Sequence, residues 1–429
     1  MAKILICGLG GGKRNGEYPE ANYSIQDGDN IKIYRDRKFI ASALEEHYAI
    51  DKTIYIGTAG SMWDSLYLYY SEKFKIEKNE DYYFKLAEEI EKANRSTDLN
   101  SIDLSEFKNK FGDKIEIKIT NYGLSNIEIF ENFNIIMELE KILNDGDELY
   151  IDITHSFRSN ALWMYLVMNY ITDVIDKKIA VKMISYGMFE LKEDEISPII
   201  DLTAFYELNK WIKGASGLIN YGNSYQLLEL IEDKDIKNKF KAFSDALNLN
   251  YIGTIKQNLK SIKKIMDKLE NLEGPAKLIL PNVAKNFIKN FDNIEEGNDD
   301  IMLVRMAKWH FGHKRYAMAY ININEAIRMH FKIVLELKDM GEENELLKKI
   351  GYRKEGLEYK SSKEGQKLRE IHNIFEHSRR VRNEIAHSIG EKESAINDST
   401  SLESYCDKLE NLLSDKKFLI RALQKFDLI

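Results

Sequence analysis

Arginine and histidine side chains near the C-terminal end of the sequence are spaced for acid–base chemistry on a phosphodiester. Residues 370–388 read EIHNIFEHSRRVRNEIAHS, with apolar residues at helical spacing. Arg382 offers a planar fork that fits phosphoryl oxygens, and His387 can exchange a proton near neutral pH. Because Arg382 and His387 are five positions apart, their side chains lie roughly 140° apart around the helix axis and do not share one face. They would act together across a cleft, or where the helix meets a second copy of itself. Taken alone, so short a pattern more often marks a solvated basic face.

The sequence gives this helix no metal site. It contains neither an H-E-x-x-H motif nor a cluster of Asp, Glu and His, which predicts chemistry that needs no metal. RNA suits such chemistry, because its 2′-hydroxyl can attack the adjacent phosphate once proton transfer and charge stabilisation are supplied. The chain has two cysteines, Cys7 and Cys406, which excludes a disulfide framework and a cysteine-rich zinc site.

A second group of polar residues follows short apolar runs in the N-terminal half. The loops read GLGGGKRNGEYPEANYSI at 8–25, GTAGSMWDSL at 57–66 and DITHSFRSNAL at 152–162. Ligands of open α/β sheets bind beyond the carboxyl ends of the strands, where loops and helix N-termini offer free N–H groups. The first loop is neither a dinucleotide fingerprint nor a P-loop, since Lys13 stands where a third glycine is needed and Arg14 follows it. The alternative interpretation is that this glycine-rich loop is simply a tight turn without a ligand.

The side chains of these loops favour a pocket for a phosphorylated ligand that carries a base. They supply hydroxyls, a fixed cation, a titratable donor and two aromatic faces: Thr58, Ser61, Thr154, Ser156, Arg158, His155, Trp63 and Phe157. Each has an ordinary explanation alone. A Trp beside Met62 is more often part of a core, and a buried Arg or His beside Asp152 can be a structural pair. Their joint occurrence at several strand ends predicts the pocket.

Alternating strand and helix signals place these loops at one edge of a sheet. Apolar or alternating runs predict strands at 3–9, 53–56, 114–120, 148–154 and 180–186. Helical stretches lie between them, at 37–47, 62–70, 127–143 and 161–175. Such alternation predicts βαβ crossovers and a mostly parallel, Rossmann-like α/β domain. Residues 189–191 and 196–202 are interpreted as a terminal hairpin, after which this domain ends at residue 203.

The second half is predicted to be all-helical. Long amphipathic segments cover 205–213, 237–245, 252–272, 315–337, 365–388 and 401–426. Gly274-Pro275 and the acidic stretch 292–300 are interpreted as loops. The predicted organisation is therefore a domain at 1–203, a helical linker or start of the next domain at 204–300, and a final helical domain at 301–429.

Composition limits the class of protein. Hydrophobic residues make up 44% and charged residues 31% of the 429 residues, which is the balance of a globular domain. No apolar run approaches the ~20 residues that cross a bilayer, and the first residues lack the features of a signal peptide, so we expect a cytoplasmic protein that spans no membrane. The net charge of −8 argues against a protein that coats nucleic acid, although it permits a local basic groove.

The combination resembles the CRISPR-associated CARF–HEPN ribonucleases of type III systems. The resemblance is carried by GTAGSMWD at 57–64, DITHSFRSNA at 152–161, ISPIIDLT at 196–203 and RNEIAH at 382–387. It covers most of the chain and implies that the first domain is a CARF domain and the last a HEPN ribonuclease domain. It implies that a cyclic oligoadenylate, made when a type III effector detects foreign RNA, activates cleavage of single-stranded RNA to 2′,3′-cyclic phosphate ends.

The resemblance also implies partners and site residues. Two CARF domains share one ring across a two-fold axis and two HEPN domains form one nuclease site, so a homodimer or a higher homo-oligomer is expected. The nuclease residues it implies are Arg382, Asn383 and His387. The ligand-site candidates are Gly10, Gly11, Tyr23, Thr58, Gly60, Ser61, Trp63, Thr154, His155, Phe157 and Arg158. A four-unit ring is favoured over a six-unit ring, and no other cofactor is implied.

Two alternative functions stay open at this point. The helical half could be an interaction module without turnover, so that the protein is a cyclic-nucleotide sensor. The CARF half could instead carry chemistry of its own and slowly cut its cyclic ligand, with Thr154 and nearby hydroxyls positioning a ribose. The sequence distinguishes neither alternative from the nuclease.

Overall fold

The computed structural model describes residues 1–11, 20–155, 158–295, 298–339, 341–353, 356–387 and 392–429. Within these ranges the chain divides into two compact units, Met1–Glu207 and Leu208–Ile429. The N-terminal unit is a sheet with helices on both faces, and the C-terminal unit is helical. The predicted combination of a Rossmann-like α/β domain and an all-α domain is therefore confirmed.

The N-terminal unit is built on one mixed sheet of eight strands. Their bounds are β1 Lys3–Gly8, β2 Ala21–Asp27, β3 Asn30–Arg37, β4 Lys52–Thr58, β5 Ile115–Thr120, β6 Glu148–Asp152, β7 Ala180–Gly187 and β8 Ile196–Asp201. The strand order is β3-β2-β8-β7-β6-β1-β4-β5. Strands β7, β6, β1, β4 and β5 are parallel to one another, whereas β8 is antiparallel to β7. The parallel part of the sheet thus carries its loops at a common carboxyl edge.

Helices cover both faces of this sheet. Their bounds are α1 Ile40–Tyr48, α2 Trp63–Phe74, α3 Glu80–Lys92, α4 Ser105–Phe111, α5 Asn126–Met137 and α6 Arg158–Asp173. Strand β1 alternates between two cores, because Leu5 and Cys7 join the core beneath α1–α4 while Ile4 and Ile6 join the core beneath α5 and α6. Burial on both faces explains why β1 reads as a continuous apolar run.

The structure corrects the N-terminal prediction in two places. Residues 21–37 form the antiparallel hairpin β2–β3, whereas the sequence analysis placed 21–25 in a loop, started a helix at 37 and assigned nothing between them. The two-residue turn of this hairpin is Gly28-Asp29, with Gly28 at a φ of +58°, a conformation that glycine adopts readily, and this Gly-Asp pair was the available signal. Residues 189–191 form a short 3₁₀ helix rather than a strand, since Leu191 N–H donates to Met188 O and closes a turn. Strand β8 pairs with β7 and β2 instead.

The C-terminal unit contains only helices within the described ranges. They are α7 Thr203–Tyr221, α8 Tyr225–Leu230, α9 Lys234–Leu249, α10 Ile252–Lys263, α11 Met266–Glu270, α12 Gly274–Glu295, α13 Asp299–Gly312, α14 Tyr316–Val334, α15 Glu342–Arg353, α16 Leu357–Ser361, α17 Lys363–His387, α18 Lys392–Ser414 and α19 Lys416–Lys425. None of the helices in the described part of the chain has the length and apolar character needed to span a membrane.

Several of these helices escaped the sequence analysis. The two predicted loops fall largely in helix, because α12 starts at Gly274 and continues to Glu295, and α13 starts at Asp299. Proline is tolerated in a first helical turn and acidic residues favour helix N-termini, so both signals marked helix starts. Helix α13 lacks an amphipathic pattern because Met302 and Met306 pack in one helical core while neighbouring Leu303 packs in another.

A buried carboxylate ties α1, α2 and β4 together at the amino edge of the sheet. Glu45 Oε1 accepts hydrogen bonds from Thr53 Oγ1 at 2.6 Å and Tyr70 Oη at 2.5 Å, and Lys73 pairs with the second oxygen. Tyr55 continues the network to the Tyr70 hydroxyl at 2.8 Å. Because each carboxylate oxygen has a donor, the cost of burying this charge is offset.

We expect Glu45→Ala to lower the free energy of unfolding by roughly 2–4 kcal/mol, because it leaves buried donors without an acceptor. The matched control is Glu46→Ala on the same helix. Glu46 is 59% exposed and pairs with Arg37 at the surface, so its loss should cost roughly 1 kcal/mol or less. Chemical denaturation measures both variants. Equal effects would contradict a special role for the Glu45 network.

Candidate functional site

Three of the predicted loops meet in one cleft at the carboxyl edge of the sheet. They meet because β1 lies between β4 and β6, so the loops that follow these strands are neighbours. The cleft has a volume of about 390 Å³, within the range of small-molecule sites. Its lining residues are Leu9, Gly10, Gly11, Gly57, Thr58, Gly60, Ser61, Tyr122, Thr154 and His155. Seven of the predicted ligand-site residues are thus brought together.

The loop after β4 is fixed by its own side chains. Ser61 Oγ donates to Leu9 O at 2.7 Å and accepts from Thr58 N–H at 3.0 Å, which fastens this loop to the loop after β1. Trp63 Nε1 donates to Thr58 O at 2.9 Å, and its side chain is fully buried. Trp63 does not line the cleft and offers no exposed face to a base, because its ring is part of the core. A β-carbon on Gly57 would lie 2.6 Å from Ser61 Oγ, so this close packing requires glycine.

The loop after β6 is organised by a buried carboxylate. Thr154 Oγ1 donates to Asp152 Oδ1 at 2.7 Å and accepts from Gly187 N–H at 2.7 Å. Ser185 Oγ also donates to Asp152 Oδ1, at 3.1 Å. Burial raises the pKa of Asp152 to about 6, although the bonds from Thr154 and Ser185 act in the opposite direction. The Thr154 hydroxyl is therefore engaged in holding the loop.

One further cleft residue, His155, differs from its predicted role, and another, Tyr122, had not been predicted at all. Burial lowers the pKa of His155 to about 4, so its imidazole is neutral at pH 7 and lines the cleft without charge. Tyr122 was missed by the sequence analysis. Its hydroxyl lies 3.1 Å from where a β-carbon on Gly60 would stand. The sequence did contain a signal for Tyr122, because this residue follows a predicted strand, β5, whose carboxyl end lies at the same edge of the sheet.

The remaining ligand-site candidates lie elsewhere. Tyr23 is 1% exposed in the core, on β2, and packs edge-on against Phe189 with ring centroids 6.0 Å apart. It was predicted on a loop, and strand pairing turns its ring inward instead. Ser156 and Phe157 lie outside the described residues. Arg158 begins α6, and the structure describes its backbone position only.

The predicted nuclease residues lie on α17. Arg382 Nη1 donates to Asn324 Oδ1 and to Glu325 Oε1, both at 3.3 Å. Its side chain is one-third exposed, at 34%. Asn383 and His387 are exposed, and His387 is the last residue of the helix. The structure therefore leaves all three side chains accessible on the final turns of α17.

The other two histidines of this segment are structural. His372 is buried, with its ring against Gly351. His377 bonds Tyr405 Oη through Nδ1 at 2.7 Å and Asp398 Oδ1 through Nε2 at 2.8 Å. Packing of neighbouring helices, which the local pattern does not reveal, covers both rings. Among the described residues, no group of three or more His, Cys, Asp or Glu side chains is arranged to hold a metal ion.

Two family models match the chain. The model described as CRISPR system endoribonuclease Csx1, CARF domain, matches residues 5–190. The model described as CRISPR-associated protein MJ1674, second domain, matches residues 207–298. CRISPR-associated protein MJ1674 of Methanocaldococcus jannaschii is 31% identical over 434 aligned residues. The chain belongs to the CRISPR-associated CARF-domain proteins.

The CARF match contains every residue that lines the cleft. The alignment with MJ1674 covers 96% of this chain and 66% of the relative, so the chain spans about two thirds of that protein. The segment predicted as a linker or domain start, 204–300, coincides closely with the second-domain match. Its helices share one core, to which Met302 and Met306 of α13 also contribute. The RNEIAH motif on α17 lies beyond both family models.

The raised pKa of Asp152 makes the stability of the CARF domain depend on pH. In the unfolded chain this carboxyl loses its proton near pH 4, whereas in the fold it keeps the proton up to about pH 6. Stability from this group is therefore lost as pH rises from 4 to 6, by up to about 3 kcal/mol. We expect the unfolding free energy of wild type, relative to Asp152→Asn, to fall over this window and then level off. Parallel pH curves for the two proteins would contradict the assignment.

Proposed function

We propose that the protein is a metal-independent endoribonuclease of type III CRISPR defence, which a cyclic oligoadenylate activates to cleave single-stranded RNA. The observation that carries the proposal is the glycine-lined cleft at the carboxyl ends of β1, β4 and β6, inside the region that matches a CARF domain. The accessible Arg382 and His387 on α17 supply the second half of the proposal.

The cleft suits a ring of nucleotides held mainly by backbone groups. Gly10, Gly11 and Gly60 have no side chains, so a phosphate can approach their N–H groups closely. Arg158 stands at the start of α6, where a cation and a helix N-terminus act together on a phosphate. Thr58 and the neutral His155 offer contacts to ribose or base edges without adding charge.

The ring is proposed to lie on the two-fold axis of a homodimer. An apolar surface on α5 and α6 provides a place for the second copy: Leu124, Ile127, Phe130, Leu162 and Leu166 are all more than half exposed. Both helices follow directly on cleft segments, α5 after Tyr122 and α6 after His155. A ring with an even number of units has the two-fold symmetry that lets each copy make the same contacts, and the four-unit ring is the proposed activator.

Cleavage is proposed to use the 2′-hydroxyl of the RNA as nucleophile. That hydroxyl loses its proton and attacks the adjacent phosphorus, and the bond from phosphorus to the 5′-oxygen breaks. The products carry a 2′,3′-cyclic phosphate and a 5′-hydroxyl. Arg382 stabilises the phosphoryl oxygens, while His387 transfers protons or orients the 2′-hydroxyl.

We expect purified protein to cleave single-stranded RNA when the four-unit ring is added, and to do so in excess EDTA. Arg382→Ala and His387→Ala should each lower the rate by roughly 10²-fold, the scale of one lost acid–base or charge-stabilising group. Arg379→Ala is the control, since Arg379 lies one turn earlier and pairs with Glu376 at the surface. The assay measures rates and fragment ends with rings of three to six units.

Each contrary outcome of this assay has a distinct meaning. Normal rates for both variants would remove the assignment of Arg382 and His387. Products with 3′-hydroxyl ends, or loss of activity on chelation, would indicate a metal nuclease. Degradation of the ring without RNA cleavage would favour a CARF domain that cuts its own ligand. Ring binding with neither reaction would favour a sensor whose helical unit only interacts with partners.

We expect the double variant Phe130→Glu/Leu166→Glu to be monomeric and to lose ring binding, because two buried charges per copy oppose association across α5 and α6. The matched control is Phe84→Glu. Phe84 is exposed to a similar degree, 64% against 68% for Phe130, but lies on α3. Light scattering gives the oligomeric state, and calorimetry should give one ring per two chains for wild type. One ring per chain, or an unchanged dimer in the double variant, would contradict this interface.

A further inference from the structure

We infer that Glu325 and Asn324 on α14 are positioning residues for Arg382, and that they restrict the edge of its guanidinium that a phosphate can reach. This inference rests on the proposed nuclease function. Both residues lie more than fifty positions before Arg382 in the sequence, and neither belongs to the RNEIAH motif. Packing of α14 against α17 brings them to it.

The contacts engage one nitrogen of the guanidinium. Arg382 Nη1 is 3.3 Å from Asn324 Oδ1 and 3.3 Å from Glu325 Oε1. No hydrogen bond or ion pair within the described residues involves Arg382 Nη2 or Nε. These two nitrogens form the edge that binds two oxygens of one phosphate side by side. Because Asn324 and Glu325 engage Nη1, the edge formed by Nε and Nη2 remains available to the substrate.

The carboxylate of Glu325 is itself held by a second arginine, Arg328. Arg328 Nη1 donates to both carboxylate oxygens of Glu325, at 3.0 and 3.3 Å. Arg328 in turn donates through Nη2 to Glu343 Oε1 at 2.7 Å, and Glu343 is buried at the start of α15. Burial alone would raise the pKa of Glu343, but the bond from Arg328 and backbone N–H groups hold it below its ordinary value. Arg382, Glu325, Arg328 and Glu343 thus form a row of alternating charges, and the last of them is a buried carboxylate.

Asn324 is fixed by the helix that carries Arg382. Its side chain is buried, and Nδ2 donates to Phe375 O at 3.3 Å and Ser378 Oγ at 3.1 Å on α17. The amide orientation is set by these acceptors, so Oδ1 faces Arg382. Helix α17 thus holds Asn324, and Asn324 holds an arginine of the same helix about one turn further on.

The carboxylate of Glu325 also discriminates between directions of approach. A phosphate that reached the Nη1 side would meet the negative charge of Glu325, which opposes it at short range. A phosphate at the Nε and Nη2 edge meets no such charge and gains two hydrogen bonds. The arrangement restricts the scissile phosphate to one pose relative to α17. His387 must therefore transfer protons, or orient the 2′-hydroxyl, with the phosphate in that pose.

The test compares ring-activated RNA cleavage by Glu325→Ala, Glu325→Gln, Arg382→Ala and the double variant Glu325→Ala/Arg382→Ala. We expect Glu325→Ala to lower kcat by roughly 10- to 100-fold with little change in KM, because a misplaced group costs rate rather than ground-state binding. Glu325→Gln keeps an oxygen acceptor and should recover activity to within about threefold of wild type. The double variant should be no slower than Arg382→Ala alone.

Glu376→Ala is the matched control, since Glu376 pairs with the exposed Arg379 on the same helix and should leave kcat unchanged. Equal losses for Glu325→Ala and Glu325→Gln, or losses that multiply in the double variant, would overturn the positioning role. Wild-type protein that cleaves no RNA refutes the proposed function instead. The contact is then judged by thermal unfolding of wild type, Glu325→Ala, Arg382→Ala and the double variant, where additive effects of the two single substitutions would overturn it.

Discussion

The parallel pairing of β1 with two neighbours is the constraint on which the rest of the N-terminal unit depends. Strand β1 is hydrogen-bonded to β4 on one side and to β6 on the other, although these strands lie far apart in sequence. Parallel pairing aligns their carboxyl ends, so the three following loops must share one edge. Leu9 N–H then donates to Ile56 O at 2.8 Å and Met62 N–H to Gly10 O at 3.1 Å, which joins two of the loops directly.

Several carboxylates are buried among the described residues, and hydrogen-bond donors hold them in place. Glu45 is held by hydroxyls and a lysine at the amino edge of the sheet, and Asp152 by hydroxyls beneath the cleft. In the helical unit, Asp300 Oδ2 lies 2.7 Å from His330 Nδ1, with both side chains buried. Burial alone would raise the pKa of Asp300, but His330 and a backbone N–H hold it below its ordinary value. Charged groups are thus kept inside only where donors surround them.

The candidate nuclease site follows a different rule, because a group that binds substrate must remain available to it. Arg382 keeps about a third of its side chain in solvent. Of its two supporting residues, Asn324 is buried, whereas the Glu325 side chain is 39% exposed. The supports come from α14 and, through Arg328, from Glu343 on α15. The RNEIAH motif, which is local in sequence, therefore rests on residues that lie far from it in sequence. The position of the Arg382 side chain depends on how the helices pack rather than on the motif itself.

The sequence by itself determined the class of fold and the position of most of the cleft. Periodicity located the five mutually parallel strands, and the carboxyl ends of three of them supplied Gly10, Thr58 and Thr154 to the same site. These signals succeed because strand burial and loop chemistry are encoded over a few neighbouring residues. The family matches then confirmed a CARF domain in this part of the chain.

Tertiary structure alone decided which side chains are available. It buried Trp63 and Tyr23 in the core, engaged the hydroxyls of Ser61 and Thr154, and left His155 uncharged. It also placed residues of α14 against an arginine that lies far along the chain. Burial, charge state and long-range pairing depend on what packs against a residue. A residue's neighbours in sequence do not contain that information.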